Sequence, residues 1–154
     1  MPGSVMNAYE FLTKILPPTG HFFIATLQQG AERPYFRHAL CESPAHAAQM
    51  ALHLDAQGEQ VYHACAAYRE PSIDVDWTDP KTGVTTTKKR QRVQKNVQSV
   101  RAFWLDLDVE PGNPSKYSSQ SAAITAVAAF LKSSGLPVPM FVSSGYGVHV
   151  YWPL

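Results

Sequence analysis

The strongest constraint on the fold is the segment Phe103–Val109, which reads FWLDLDV. Side chains of a β-strand point to opposite faces with a period of two, so this segment predicts a strand with two unlike faces. The apolar face is formed by Phe103, Leu105, Leu107 and Val109. The opposite face is formed by Trp104, Asp106 and Asp108. We expect the apolar face to lie on a hydrophobic layer, which leaves the carboxylates on the other side.

Asp106 and Asp108 form an acidic pair whose mutual repulsion needs an explanation. Two residues apart on one strand face, they lie roughly 7 Å from each other and repel by roughly 2 kcal/mol at an effective dielectric of 20. Divalent cations such as Mg²⁺ prefer carboxylate oxygens. The pair is therefore a cation site, or is paired with basic residues from elsewhere in the chain, or is the solvated start of the polar loop that follows it. Taken alone, the two acids support the cation site and the solvated loop equally.

The composition is that of a globular protein. The chain has 154 residues, of which 45% are hydrophobic and 16% charged. That length allows one domain or two small lobes. No apolar run approaches the ~18 residues of a membrane span, and the N-terminus lacks the features of a secretory signal. We therefore expect a cytoplasmic protein without a membrane partner. Cys41 and Cys65 are expected to be reduced and buried.

Basic residues are concentrated in one window. The net charge is only +1, yet seven of the thirteen basic residues lie between Lys81 and Leu105, where no acidic residue occurs. Such a window beside a carboxylate strand suits a cleft that binds phosphates. The candidates for nucleic-acid contact are Lys88, Lys89, Arg90, Arg92, Lys95 and Arg101. For any single residue, a solvated loop position is the simpler interpretation.

The first half of the chain predicts an αβ lobe over residues 1–70. Asn7 and Glu10 have the spacing of a capping box and begin a helix that ends near Leu16. Strands are predicted over 21–28 and 35–40, with a turn over 30–34, and a helix from Ser43-Pro44 to Gly58. A third strand is predicted over 60–69. The stretch from Glu70 to Lys95 shows little periodicity, and residues 71–96 are predicted to be a basic polar loop.

The second half, residues 97–154, predicts a strand, a helix and two further strands. The first strand spans 97–109, and Ser118 or Ser119 begins a helix whose buried face is Ile124, Val127, Ala128 and Leu131. Strands over 138–143 and 148–152 flank the turn Ser144–Gly147. The predicted fold class is α+β: an N-terminal αβ lobe followed by an incomplete ferredoxin-like, RRM-like β-α-β-β unit. Because such a unit continues into another helix and strand, we expect the sequence to be the N-terminal part of a longer domain.

The last strand places a histidine near the acids. In VHVYW, the residues Val148, Val150 and Trp152 share one face, and His149 and Tyr151 share the other. If the apolar set faces the same layer as Leu107, then His149 emerges on the face of Asp106. A glycine turn, Gly145-Tyr146-Gly147, precedes it and allows positive φ or close backbone approach.

These residues resemble the archaeo-eukaryotic primase superfamily, and above all the primase-polymerase domains of phages and plasmids. In that family the first motif is an apolar strand with two acids one residue apart, matched by Asp106 and Asp108. The second motif is a small residue, any residue and a histidine, matched by Gly147-Val148-His149. The resemblance extends from about Val97 to Trp152, and in the first seventy residues only the order of elements is similar.

The resemblance implies template-directed nucleotidyl transfer, in which a 3′-hydroxyl attacks the α-phosphate of an NTP or dNTP and pyrophosphate leaves. Asp106 and Asp108 would bind two divalent ions, Mg²⁺ or Mn²⁺, and His149 would contact the triphosphate. Gly147, Ser144 and Lys116 are the further candidates for nucleotide binding. DNA template and primer are the implied partners, with a helicase domain or protein as a further one. The resemblance to phage and plasmid domains also implies the cytoplasm of a bacterial or phage-infected cell. The family also has a third acid on a later strand.

Two other functions fit the same elements. One is a non-catalytic nucleic-acid-binding module that keeps the fold. The other is a rolling-circle-type replication initiator, which requires two histidines on one strand and a nucleophilic tyrosine; here His149 is followed by Tyr151 instead of a second histidine. Trp104 and Tyr151 are placed where either could stack on a base.

Overall fold

The computed structural model describes residues 6–30 and 32–154 of the chain. It is an α+β protein that divides into two compact units, Met1–Arg101 and Ala102–Leu154. Among the described residues, the first unit contains three antiparallel sheets and the second contains one. The predicted α+β class is confirmed. Among the helices of the described ranges, none has the length and apolarity needed to cross a membrane.

The first unit begins as predicted. Helix α1 (Ala8–Ile15) is capped by Asn7, and the reciprocal bonds between Asn7 and Glu10 form the expected capping box. Strand β1 (Phe22–Gln28) pairs with β2 (Tyr35–Cys41), and helix α2 (Pro44–Ala56) follows with Ser43 as its N-cap. The turn predicted over 30–34 includes Ala31, which lies outside the described residues. Apolar residues of α1 and β1 are buried: Leu12, Ile15, Phe22, Phe23 and Ile24.

The prediction of a single strand over 60–69 is wrong. The segment forms two short strands, β3 (Val61–His63) and β4 (Ala66–Tyr68), in different sheets. Strand β3 extends the β2-β1 sheet, whereas β4 pairs with β7 (Val97–Val100). The sequence pattern on both sides of the break is apolar and extended, so it contains no signal that the chain changes partner between them.

The prediction of a polar loop over 71–96 is also wrong. Most of it is a hairpin of two antiparallel strands, β5 (Ile73–Thr78) and β6 (Thr85–Arg90). Its turn contains Gly83 at φ +70°, a conformation that a glycine adopts without steric cost. The signals for a hairpin are the alternation of Ile73, Val75 and Trp77 and the run of β-branched threonines at the start of β6. The polar β6 strand has no apolar alternation of its own.

The strand predicted over 97–109 is divided at Arg101. Strand β7 belongs to the first unit, and β8 (Ala102–Leu107) belongs to the second. A 3-10 turn over Gln94–Asn96 precedes β7 and buries the side chain of Asn96. Arg101 donates a hydrogen bond from Nη1 to the carbonyl oxygen of Thr13, 3.0 Å away, which fixes the end of the first unit.

The second unit is a β-α-β-β arrangement. After β8 come helix α3 (Gln120–Ser134), β9 (Met140–Ser143) and β10 (Val148–Pro153). The sheet order is β8-β10-β9, so the last strand lies between the other two and is antiparallel to both. Ser119 caps α3 and Gly135 ends it at φ +71°, as the sequence predicts. The order and connections are those of the first part of a ferredoxin-like fold.

The core of the second unit is smaller than the sequence predicts. It consists of Leu107, Ala123, Val127, Val148, Val150 and Trp152, with Val109, Tyr117 and Leu131 packed at its edge. The expectation that a layer buries all four apolar residues of the FWLDLDV segment is wrong for two of them, since Phe103 is 64% exposed and Leu105 is 44% exposed. Helix α3 packs on β10. Of its predicted face, Ile124 and Ala128 are exposed, because the inner stripe runs through Ala123, Val127 and Leu131.

Candidate active site

Asp106 and His149 lie directly opposite each other on paired strands. In the antiparallel register of β8 and β10, His149 is the partner of Asp106, just as Val148 is the partner of Leu107. The Nε2 atom of His149 is 3.3 Å from Oδ1 of Asp106. The imidazole is 35% exposed and the carboxylate 65% exposed, so this pair is open to a ligand from solvent.

Asp108 lies just after the last residue of β8. Leu107 and Val109 on either side of it both pack against the same core cluster. The alternation of the strand therefore continues through Val109, and Asp108 projects to the opposite side, the side of Asp106. Its carboxylate is 69% exposed. The two acids and His149 thus share one solvent-accessible face, as the sequence predicts.

Lys116 is held by acidic residues beside this face. Its Nζ atom is 3.0 Å from Oε2 of Glu110 and 3.8 Å from Oδ2 of Asp108. The carboxylate of Glu110, followed by that of Asp108, raises the pKa of Lys116, and Lys116 in turn lowers the pKa of Glu110. Lys116 was predicted as a phosphate contact. Glu110 was not predicted, although its position two residues after Asp108 is a readable signal.

The glycine turn lies close to the carbonyl oxygen of Leu107. A Cβ atom on Gly147 would lie 2.7 Å from that oxygen, which leaves no room for a side chain at this position. Gly145 adopts φ +95°. The hydroxyl of Ser144, a predicted nucleotide contact, accepts a hydrogen bond from the N–H of Gly147 at 3.2 Å. The turn therefore brings the first residues of β10 as close to β8 as backbone contact permits.

Gln120 is a site residue that the sequence did not reveal. From the first position of α3, its Nε2 donates to the hydroxyl of Ser143 at 3.0 Å and to the carbonyl oxygens of Gly147 and Gly145 at 3.1 and 3.3 Å. These bonds connect the helix to both ends of the turn that precedes His149. The contact joins residues more than twenty positions apart, and no local pattern predicts it.

The two aromatic residues on the carboxylate face differ in exposure. Tyr151 and Trp104 are partners across β10 and β8, but Tyr151 is 3% exposed whereas Trp104 is 45% exposed. Only Trp104 presents a ring to solvent where a base could stack. The burial of Tyr151 does not favour a nucleophilic role for its hydroxyl, which a rolling-circle-type initiator would need.

The donor set suits a hard divalent cation bound mainly through water and substrate. Two exposed carboxylates are the complement that Mg²⁺ commonly takes from a protein when phosphate oxygens supply other positions. Within residues 6–30 and 32–154, however, no three histidine, cysteine or acidic side chains are grouped closely enough to hold a metal ion. Two carboxylates alone would leave most coordination positions of a divalent ion to water or to a bound molecule.

The six basic candidates belong to the first unit, and their surroundings there are not alike. Lys89 pairs with Asp74 at 3.8 Å, and Nη1 of Arg92 donates to Nε2 of His38 at 3.3 Å. Arg101 is engaged with Thr13, as described above. Lys88 and Arg90 form no ion pair within the described part of the chain, and the side chain of Lys95 is exposed.

No protein-family model, no curated protein and no solved structure matches this chain. The resemblance to the primase-polymerase domains accordingly stays a prediction that rests on the residues quoted for it.

Proposed function

We propose that this chain carries the metal- and nucleotide-binding part of a template-directed nucleotidyltransferase, a primase or polymerase of phage or plasmid replication. The observation that carries the proposal is the placement of Asp106, Asp108 and His149 on one exposed sheet face. A pair of carboxylates with an imidazole 3.3 Å from one of them is suited to bind a metal–triphosphate complex.

Each residue of the face has a distinct task. Asp106 and Asp108 supply the carboxylate oxygens for one or two Mg²⁺ or Mn²⁺ ions. Bound divalent ions offset the charge of a triphosphate and make a 3′-hydroxyl a better nucleophile. When a cation takes up Oδ1 of Asp106, His149 donates an N–H to a phosphate oxygen instead. Lys116, held by Glu110, adds positive charge at the edge of the face.

The partners follow from the reaction. A template-directed transferase requires a DNA template with its primer and an NTP or dNTP, and a helicase domain or protein is the further partner expected in replication. The basic residues of the first unit provide the charge for the nucleic acid.

A non-catalytic nucleic-acid-binding module is the second candidate. The observation that favours it is that no three histidine, cysteine or acidic side chains of the described residues are grouped closely enough to hold a metal ion. Such a module would bind nucleic acid in the same place without transferring nucleotides.

Incorporation of labelled nucleotide opposite a single-stranded DNA template tests the proposal. We expect incorporation by the protein to require Mg²⁺ or Mn²⁺. Asp106→Asn and Asp108→Asn are each expected to lower it by about 100-fold or more. Asp55→Asn, which changes an exposed acid near the end of α2, is the matched control and should leave it unchanged. Undiminished incorporation in the Asp106→Asn variant would exclude the assignment.

A further inference from the structure

The β5–β6 hairpin has two faces of opposite character. In its antiparallel register, Asp74, Asp76 and Thr78 are the partners of Lys89, Thr87 and Thr85. On the other face, Ile73, Val75 and Trp77 are the partners of Arg90, Lys88 and Thr86. Both acids of the two strands therefore lie on the first face, and Trp77 shares the second face with two of the three basic residues.

The polar face is satisfied by its own cross-strand contacts. Lys89 lies 3.8 Å from Asp74, and the hydroxyl of Thr87 donates to Asp76 at 2.6 Å. The hydroxyls of Thr78 and Thr85 are 2.9 Å apart. Two carboxylates and one ammonium leave this face with a net negative charge, so it does not attract the phosphates of a nucleic acid.

The Trp77 face has an exposed aromatic ring and positive charges that lack acidic partners among the described residues. Trp77 is 45% exposed, and the ammonium of Lys88 lies 4.9 Å from the centre of its ring. Neither Lys88 nor Arg90 has an acidic partner among the residues that the structure describes. Two residues apart on one strand, they lie about 7 Å from each other. This face therefore combines an exposed indole with two uncompensated positive charges.

We propose that the Trp77 face of the β5–β6 hairpin binds single-stranded nucleic acid. One base stacks on the exposed side of the Trp77 ring, and Lys88 and Arg90 contact the adjoining phosphates. Stacking on an aromatic side chain tolerates any base, and it requires an unpaired base whose face is free. The inference rests on the proposed function, since a template-directed enzyme must hold an unpaired strand, and it names the surface that holds it.

Binding of a fluorescently labelled twelve-nucleotide oligothymidylate, followed by anisotropy without divalent ions or nucleotide, tests the inference. We expect Trp77→Ala to weaken binding about tenfold and Trp77→Phe, which keeps an aromatic face, to restore most of it. Replacing both Lys88 and Arg90 by Gln should reduce the slope of log affinity against log salt by about 1.4, because each lost phosphate contact on a single strand contributes about 0.7.

The opposite face of the same hairpin provides the control. Lys89→Gln removes the same charge from the neighbouring position and should change the affinity less than twofold. Three outcomes would each overturn the inference. They are equal losses of affinity for Lys88→Gln and Lys89→Gln, a Trp77→Ala variant that binds like the parent, and tighter binding of a duplex of the same length. The hairpin is exposed, and a urea unfolding curve for each variant verifies that the fold is intact.

The outcome is separable from that of the catalytic proposal. The binding assay contains neither divalent ions nor nucleotide, so its result does not depend on the catalytic proposal. If nucleotide incorporation fails but binding depends on Trp77, the inference about the hairpin holds without the catalytic proposal. If incorporation depends on Asp106 but binding is indifferent to Trp77, the catalytic proposal stands and the hairpin is not the binding surface.

Discussion

The imidazole of His149 and the carboxylate of Asp106 stand opposite each other on β10 and β8, with Nε2 3.3 Å from Oδ1. Both side chains are accessible to solvent, and Asp108 projects to the same side. A cation that binds Asp106 would compete with the imidazole for this oxygen. The contact therefore couples metal binding to the position of the imidazole, which is then free to meet a phosphate.

The roles of Asp106 and His149 can be separated by Mn²⁺ titration, followed by electron paramagnetic resonance. Asp106→Asn should weaken Mn²⁺ binding about tenfold or more, because a carboxylate ligand is lost. His149→Ala should bind Mn²⁺ at least as well as the parent chain, since a competitor for Oδ1 is removed. The His149→Ala variant should bind the Mn²⁺–triphosphate complex about tenfold more weakly, because a charge-assisted hydrogen bond to a phosphate oxygen is lost.

The exposed histidine of α2 serves as the control for that titration, and His53→Ala should change neither affinity. Parallel losses of Mn²⁺ binding in the Asp106 and His149 variants would contradict the division of roles. Unchanged Mn²⁺ binding in an Asp106→Asn, Asp108→Asn double variant would contradict the cation site itself.

Gly147→Ala should destabilise the second unit by about 1–3 kcal/mol, the usual cost of overpacking. The added Cβ would lie 2.7 Å from the carbonyl oxygen of Leu107, which is backbone and moves only if the pairing of β8 and β10 is disturbed. Ser144→Ala, which removes one hydrogen bond of the same turn, should cost less. Urea unfolding measures the free energy of unfolding of both variants. An equal loss for both would contradict the prediction that the close contact between Gly147 and Leu107 is the more important of the two.

The parts of the site that the sequence predicted depend on short-range regularities. Alternation placed Asp106 and His149 each on the polar face of its own strand. The apolar residues beside them, Leu107 and Val148, oriented the two strands toward one core. Two strands of a single sheet that share an apolar side must share a polar side as well, so the two predictions together located the common face.

The parts that the sequence did not predict depend on partners chosen in three dimensions. Gln120 contacts the glycine turn only because α3 begins beside it. The β5–β6 hairpin joins an alternating strand to an almost wholly polar one, and the second strand, TTTKKR, resembles a loop by composition. The exposure of Phe103 is determined by where α3 packs, which the pattern of β8 cannot indicate.

Asn96 is expected to be essential to the first unit despite its polarity. It is 1% exposed, and its Nδ2 donates to the carbonyl oxygens of Glu70 and Gln91 at 2.8 and 2.9 Å. Its Oδ1 accepts from the N–H of Glu70 at 3.1 Å. Asn96→Ala should lower the free energy of unfolding by about 2–3 kcal/mol, since it leaves backbone groups unpaired.

The exposed neighbour Gln94 lies in the same 3-10 turn, and Gln94→Ala should cost less than about 0.5 kcal/mol. Urea unfolding of both variants provides the comparison. An Asn96→Ala variant as stable as Gln94→Ala would mean that water replaces the three hydrogen bonds and that the first unit does not depend on them.

The stability of the first unit should decrease in mild acid because of His38. Burial, and then the positive charge of Arg92, lower the pKa of His38 below its ordinary value of 6.5. The guanidinium can only donate, so Nε2 of His38 accepts at 3.3 Å and the ring is neutral in the folded state. Because the unfolded chain then binds more protons, the stability is present above pH 6.5 and is lost as the pH falls through the lowered pKa. The free energy of unfolding, measured in urea at pH 7.5 and pH 5, should decrease less for His38→Gln than for the parent chain or the exposed His53→Gln control. Equal decreases in all three proteins would assign the acid sensitivity to other groups.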